Sequence, residues 1–169
     1  LGLSFKSFEL ISGCTYRHLA ELYSGNIKAG QEKSALCVAC HATDGNSVLP
    51  NHPKLAGQSA RYLAKQLSDF KSGARKNPIM AGMAAGLSEE DMHDIASFYA
   101  VQTITKGPDA TSEIGKKLYL GGDASKKIPA CIACHGITGN GMSQAAFPAI
   151  SSQDAGYLKN QLNAFRDGS

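Results

Sequence analysis

The stretch CVACH at residues 37–41 decides the fold of this chain, and it returns as CIACH at residues 131–135. A C-x-x-C-H motif is typical of covalent haem c attachment, because two thiols one turn apart form thioethers with the porphyrin vinyl groups and the next histidine reaches the iron. The residues with these roles are Cys37, Cys40 and His41 in the first copy and Cys131, Cys134 and His135 in the second. The sequence therefore predicts two haem c groups.

Two other roles for the cysteines fit the sequence less well. Zinc ribbons separate their cysteine pairs by roughly 15 to 20 residues, whereas here the gap is about ninety and each pair has its own histidine. A thioredoxin-type motif would need a βαβ setting, which the surrounding sequence does not offer. Haem attachment remains the interpretation.

Composition limits the size of the domains and the kind of partner. The 169 residues, 43% of them hydrophobic, suffice for one domain or two small ones. A domain of roughly 80 residues has a marginal core, which a buried apolar cofactor would complete. The net charge of +3 comes without a Lys/Arg cluster interleaved with aromatic residues. We therefore expect no nucleic-acid partner.

An internal repeat defines the domain organisation. Two segments align at a constant spacing of 95 residues: PKLAGQSARYLAKQLSDFKSG at 53–73 and PAISSQDAGYLKNQLNAFRDG at 148–168. The C-x-x-C-H motifs are 94 residues apart, so the second copy has one extra residue between its motif and this segment. A register kept over such a length indicates a tandem duplication. We expect an N-terminal extension (residues 1–26) and two homologous domains (residues 27–106 and 107–169).

Helical periodicity and capping signals predict an all-α fold. Ser88 is a good N-cap, followed by acidic residues that favour a first helical turn. Strand signals are sparse. We expect helices at residues 28–40, 59–71, 88–102, 112–120 and 152–168, with a linker at 105–109.

An electron-transfer haem needs a second axial ligand, and the first domain offers Met80 and Met83. A thioether is a soft ligand that favours ferrous iron. Spacing does not choose between the two methionines. His18, His52 and His93 are weaker candidates, since surface histidines are the commoner case.

These motifs resemble those of the cytochrome c4 family, dihaem proteins built from two class I cytochrome c domains. The resemblance covers residues 28–169 and extends beyond the attachment motifs, to NPIMAGMAAGLSEEDMHDIASFYA at 77–100. It implies that Met80 binds the first iron, with Met83 as the runner-up. It also implies that the carbonyl groups of Pro53 and Pro148 accept hydrogen bonds from the iron-bound histidines, which fixes the orientation of each ring.

The resemblance also suggests roles for residues between the domains. In the family the two domains face each other close to the haem propionates, which implies that Tyr62 and Tyr157 stabilise this region through hydrogen bonds. The alternative is that both tyrosines pack in amphipathic helices with their hydroxyl groups at the surface. Arg61 and Arg75 could pair with propionates, although solvation is the commoner role of such side chains.

The second domain departs from the family pattern. A counterpart of Met80 at a spacing of 95 would fall near position 175, beyond Ser169, so we expect the C-terminal part of this domain to be absent from the sequence. Met142 is a poor substitute, because a loop of seven residues after His135 would hardly reach the other face of a haem.

The N-terminal extension bears on location. Ile11-Ser12-Gly13-Cys14 resembles a lipoprotein cleavage box, so Cys14 could carry a lipid and give peripheral membrane association; the alternative is a free cysteine. The extension contains no run of the roughly 20 apolar residues that a membrane span needs. Covalent haem attachment resembles a process completed outside the bacterial cytoplasm. We therefore expect a periplasmic protein.

The resulting functional hypothesis is electron transfer without catalysis. Family resemblance suggests a respiratory route from a bc1-type complex to a terminal oxidase. One alternative is a haem subunit of a periplasmic dehydrogenase that oxidises sulfide or thiosulfate, and another is a second haem that binds a ligand at an open iron. No nucleophile, acid–base pair or flavin motif in the sequence supports an enzyme.

Overall fold

The computed structural model describes residues 25–108 and 111–168, and these residues are mostly helical. Cys14 and the rest of residues 1–24 lie outside the described residues. The only extended pairs in the described ranges are two isolated bridges, Asp123–Ile128 and Met142–Phe147. The α-helices are α1 Ile27–Lys33, α2 Val38–His41, α3 Ala60–Ser72, α4 Pro78–Ala84, α5 Glu89–Ala100, α6 Glu113–Gly121, α7 Ile132–His135 and α8 Ala155–Asp167.

Four of these helices, α1, α3, α5 and α6, begin within one residue of their predicted starts. The side chains of Ser59, Ser88 and Ser112 each accept a hydrogen bond from a backbone N–H in the first turn of α3, α5 and α6. The last helix, α8, begins three residues later than predicted. Ser152 has a positive φ of 59°, which ends any helical path there, and the side chain of Asp154 caps the helix instead.

The prediction of one continuous helix at residues 28–40 is wrong. Helix α1 ends at Lys33, a 3-10 turn spans Ser34–Leu36, and α2 starts at Val38. The hydroxyl of Ser34 donates to the carbonyl oxygen of Gln31 at 2.8 Å, a local bond that competes with the helical pattern. As a result the haem motif forms a separate turn.

Helix α4, Pro78–Ala84, was not predicted. The side chain of Asn77 accepts a hydrogen bond from the backbone N–H of Met80, and Pro78 occupies the first helical position. An N-cap residue followed by proline is a known start signal. The sequence therefore contained the information needed to find this helix.

The core of the first domain forms where α5 packs against α1 and α3. Its buried side chains include Leu63, Ile95, Phe98 and Tyr99. Helix α1 can approach α5 closely because residue 30 is glycine: a Cβ there would lie 2.0 Å from the carbonyl oxygen of Asp94. Hydrogen bonds also tie the two helices, and the bond from Lys33 lowers the pKa of Asp94.

The two domains differ in how well their repeated helices are covered. Phe70 in α3 is 8% exposed, whereas Phe165, its counterpart in α8, is 77% exposed. In the first domain α5 lies against α3. Within the described residues no helix covers α8 in the same way. The buried hydrophobic residues of the described chain accordingly all lie within 56–99.

The close approach at Gly30 gives a test of this packing. We expect Gly30→Ala to lower the free energy of unfolding by about 1–3 kcal/mol, because the new methyl group would meet backbone atoms that cannot move aside. Gly121 lies at the end of α6 with nothing within 4 Å of a Cβ. Denaturant unfolding of the haem-loaded protein should show no decrease in the free energy of unfolding for the control Gly121→Ala. Equal free energies of unfolding for the two variants would contradict this explanation of the packing.

Candidate haem sites and the contact between the domains

The first candidate haem site is the turn around α2. The backbone N–H of His41 donates to the carbonyl oxygen of Cys37 at 2.9 Å, which closes one helical turn and brings the cysteine and histidine side chains together. His41 is buried, and its Nδ1 lies 2.9 Å from the carbonyl oxygen of Pro53. A carbonyl oxygen can only accept, so Nδ1 carries the proton and the lone pair of Nε2 faces away. Burial also lowers the pKa of His41, which favours the neutral imidazole that binds metals.

The second candidate site repeats this geometry. The backbone N–H of His135 donates to the carbonyl oxygen of Cys131 at 2.9 Å. Nδ1 of His135 lies 2.8 Å from the carbonyl oxygen of Pro148. In each domain, one proline carbonyl thus accepts from the histidine of the C-x-x-C-H motif. Both histidines therefore offer Nε2 as a ligand.

The thiols suit covalent attachment. Cys37, Cys40, Cys131 and Cys134 are all free and partly buried. Burial raises the pKa of Cys37, which keeps this side chain in the S–H form in the chain without haem. In the described part of the chain, no three His, Cys, Asp or Glu side chains converge as ligands of a bare metal ion.

Exposed apolar side chains next to these residues also fit a haem. Leu36 precedes the first cysteine and is 77% exposed, and Val48, seven residues after His41, is 91% exposed. Ile137 lies two residues after His135 and is 77% exposed. Clustered apolar exposure is typical of surfaces that an apolar ligand covers. The cysteines, histidines and apolar borders together fit a porphyrin at each site.

The loop that carries each proline is anchored in the same way in both domains. The carbonyl oxygen of Gly45 accepts from the backbone N–H of Leu55 at 2.7 Å, and that of Gly139 accepts from Ile150 at 2.7 Å. The spacing between these matched residues changes from 94 to 95, so the extra residue of the second copy lies inside this loop. The anchor accommodates the insertion, and the histidine–proline bond is kept.

The candidate distal ligands lie on α4. Met80 and Met83 are three residues apart, which places them on one helix face. Met80 is partly buried, while Met83 is 47% exposed. Nδ1 of His52 instead lies 3.0 Å from the carbonyl oxygen of Pro50. Greater burial favours Met80 over Met83.

Two glutamines join the domains by reciprocal hydrogen bonds. Gln58 binds the backbone of Ala149, with Nε2 donating to its carbonyl oxygen at 2.9 Å and Oε1 accepting from its N–H at 2.9 Å. Gln153 binds the backbone of Lys54 in the same way, at 2.9 and 2.7 Å. Both pairs follow the 95-residue repeat, so the contact has a pseudo-twofold axis. Neither glutamine was predicted to have a role, although the two occupy matching positions of the repeat.

Arg75 connects the domains beside the two tyrosines, and the expectation that it is simply solvated is wrong. Its guanidinium donates to the hydroxyl of Tyr157 at 2.9 Å and to Oε1 of Gln161 at 2.6 Å. It also donates to Oε1 of Gln66, the repeat counterpart of Gln161. Burial raises the pKa of Tyr62 to about 12, so its hydroxyl stays protonated at neutral pH. The hydroxyl of Tyr157 thus takes part in the contact between the domains, and Tyr62 lies beside it.

Comparisons with known proteins agree with this geometry. The family model for cytochrome c matches the chain twice, at residues 27–100 and 112–169. Cytochrome c4 from Pseudomonas aeruginosa is 44% identical over 148 residues, which cover 86% of this chain and 73% of that protein. The chain belongs to the cytochrome c4 family. This confirms the predicted family, the all-α fold of two tandem cytochrome c domains and the two haem c groups.

Two further relatives extend the comparison. The crystal structure of reduced recombinant cytochrome c4 from Pseudomonas stutzeri matches with a TM-score of 0.82 at 43% identity, covering 86% of this chain and 82% of that one. A thiosulfate dehydrogenase electron acceptor from Stutzerimonas stutzeri is 43% identical over 78% of this chain and 63% of its own length. The cytochrome c4 relatives identify the chain as a dihaem electron-transfer protein. No helix of the described chain has both the length and the apolar character needed to cross a membrane.

Proposed function

We propose that each C-x-x-C-H turn attaches one haem through its two cysteines and that its histidine binds the iron through Nε2. The observation that carries this proposal is the matched hydrogen bonding of Nδ1 in His41 and His135 to proline carbonyls. Such a bond fixes the ring and makes the other nitrogen a better ligand. Met80 completes the coordination of the first iron. Each iron would cycle between the ferrous and ferric states by one electron.

The proposed role is to carry single electrons in the periplasm, from a bc1-type complex or a similar donor to a terminal oxidase. Two haems in one chain allow an electron to enter at one domain and leave at the other. The direction follows from the difference between their potentials, since about 59 mV is a tenfold bias for one electron. The proline-bearing loop is one residue longer in the second domain, which supports unequal potentials.

A second candidate donor is a thiosulfate dehydrogenase. The relative named as the electron acceptor of that enzyme is 43% identical to this chain over 141 residues, against 44% over 148 residues for cytochrome c4 from Pseudomonas aeruginosa. In this role the chain still carries electrons, and the oxidation of thiosulfate takes place on the partner. The two candidates therefore differ in the donor and not in the chemistry of this chain.

Replacing each methionine of α4 tests the distal ligand. We expect Met80→Ala to abolish the weak sulfur-to-iron charge-transfer band of the first haem, whereas Met83→Ala should keep it, because Met83 is largely exposed. Absorption spectra of the oxidised full-length protein give the readout. Loss of the band in Met83→Ala alone would reverse the assignment.

Reduction kinetics distinguish the donors. Stopped-flow mixing of the oxidised full-length protein with a quinol-reduced bc1-type complex should reduce both haems within single turnovers, and terminal-oxidase membranes should reoxidise them. A parallel mixing with thiosulfate and its dehydrogenase tests the second donor. Faster reduction by the dehydrogenase than by the bc1-type complex would reject the first route and support the second.

Carbon monoxide tests whether either iron has an open position. A carrier with two six-coordinate irons should keep both Soret bands unmoved when carbon monoxide is added to the reduced full-length protein. Met80→Ala is the matched control, because it should open the first iron and shift one band. A shift in the unmodified protein would contradict a pure carrier and favour a ligand-binding haem.

A further inference from the structure

One peptide group in each domain connects a candidate iron ligand to the opposite domain. The carbonyl of Pro53 and the N–H of Lys54 belong to the same peptide group. The carbonyl accepts from Nδ1 of His41 at 2.9 Å, and the N–H donates to Oε1 of Gln153 at 2.7 Å. A chain of two hydrogen bonds therefore runs from the histidine of the first domain to a glutamine of the second.

The reverse chain is also present. The carbonyl of Pro148 accepts from Nδ1 of His135 at 2.8 Å, and the N–H of Ala149 in the same peptide group donates to Oε1 of Gln58 at 2.9 Å. Each domain thus supplies the glutamine that binds behind the histidine of the other.

The orientation of both glutamine amides is fixed by their partners. Oε1 of Gln58 accepts from two backbone N–H groups, those of Ala149 and Ser59, while Nε2 donates to a carbonyl oxygen. Oε1 of Gln153 likewise accepts from Lys54 and Asp154. If the oxygen and nitrogen of either side-chain amide were exchanged, its NH2 group would face two backbone N–H groups, and donors cannot bond to donors. The oxygen of each glutamine therefore faces the proline-linked peptide.

Hydrogen bonds in series strengthen one another. When the N–H of a peptide group donates, its carbonyl oxygen becomes more negative and a better acceptor. A stronger bond at Nδ1 gives the histidine more imidazolate character, which makes Nε2 a stronger donor to iron. A stronger axial donor favours the ferric state and lowers the reduction potential.

We propose that Gln153 and Gln58 are positioning residues that set the reduction potential of the haem in the opposite domain, acting through the Pro53–Lys54 and Pro148–Ala149 peptide groups. The proposal rests on the assignment of His41 and His135 as iron ligands. Each glutamine thereby stabilises the ferric state of the haem in the opposite domain, relative to a peptide group whose N–H has no acceptor. The potentials of the two haems thereby depend on how the domains fit together.

The test removes one amide at a time from the full-length dihaem protein. In Gln153→Met, a side chain of similar length leaves the N–H of Lys54 without this acceptor. We expect the ferrous-to-ferric ratio of the first haem at fixed ambient potential to rise about threefold to tenfold, the upper value being about 59 mV, while the second haem is unchanged. In Gln58→Met we expect the same rise for the second haem, while the first haem is unchanged. Potentials come from spectroelectrochemical titration, with each haem assigned by NMR contacts to its own cysteines.

Two controls separate this role from general loosening of the contact. Asn160 donates to Oδ1 of Asn51 across the domains and touches neither peptide group. Asn160→Ala should leave both potentials unchanged. Gln153→Glu keeps an acceptor for Lys54, so the first haem should stay at or below its native potential. In the reduced protein, the NMR signal of the Nδ1 proton of His41 should move upfield in Gln153→Met, because its hydrogen bond is weaker. The same signal should not move upfield in Asn160→Ala or Gln153→Glu.

Several results would overturn the proposal. These are equal shifts of both haems, a shift confined to the domain that carries the substitution, no shift larger than that of Asn160→Ala, or the same rise in Gln153→Met and Gln153→Glu. Failure of the ligand assignment would look different. It would appear in the unmodified protein, where the imidazole protons of His41 or His135 would lack the ring-current shift of a ligand held over a porphyrin.

Discussion

The hydrogen bond between the histidine of each C-x-x-C-H motif and a proline carbonyl is the constraint on which the rest of the structure depends. It orients the imidazole, decides which nitrogen is protonated and ties the C-x-x-C-H turn to a loop twelve or thirteen residues further along the chain. The glycine carbonyls that anchor this loop hold the proline in place in both domains. The second loop has one extra residue, and the hydrogen bond is still formed. The length of the loop can therefore vary, whereas the contact between histidine and proline is kept.

Around this constraint the first domain is closed by helix packing. Gly30 lets α1 lie against the backbone of α5, and α5 in turn covers the apolar side of α3. In the second domain α8 has the same sequence pattern, but Leu162 and Phe165 remain largely exposed within the described residues. The apolar side of α3 is thus buried because α5 packs against it.

Sequence reasoning succeeded where the signal is local. The haem motifs, and the N-cap at Ser88 with the helix that it begins, each depend on residues within about one turn of each other. It failed at Ser34, where a single side-chain bond interrupts a helical pattern. It also missed Gln58 and Gln153, whose partners are 91 and 99 residues away. Periodicity carries no information about which distant backbone a polar side chain will meet.

The reciprocal glutamine bonds have a consequence for the origin of the two-domain chain. One domain already contains both halves of the contact, a glutamine at the start of a helix and a proline-linked peptide to receive it. Two separate copies of such a domain could pair as a symmetric dimer with no further change, and any substitution improving the contact would act twice. Fusion through a short linker would then preserve an existing assembly, and only afterwards could the two halves diverge.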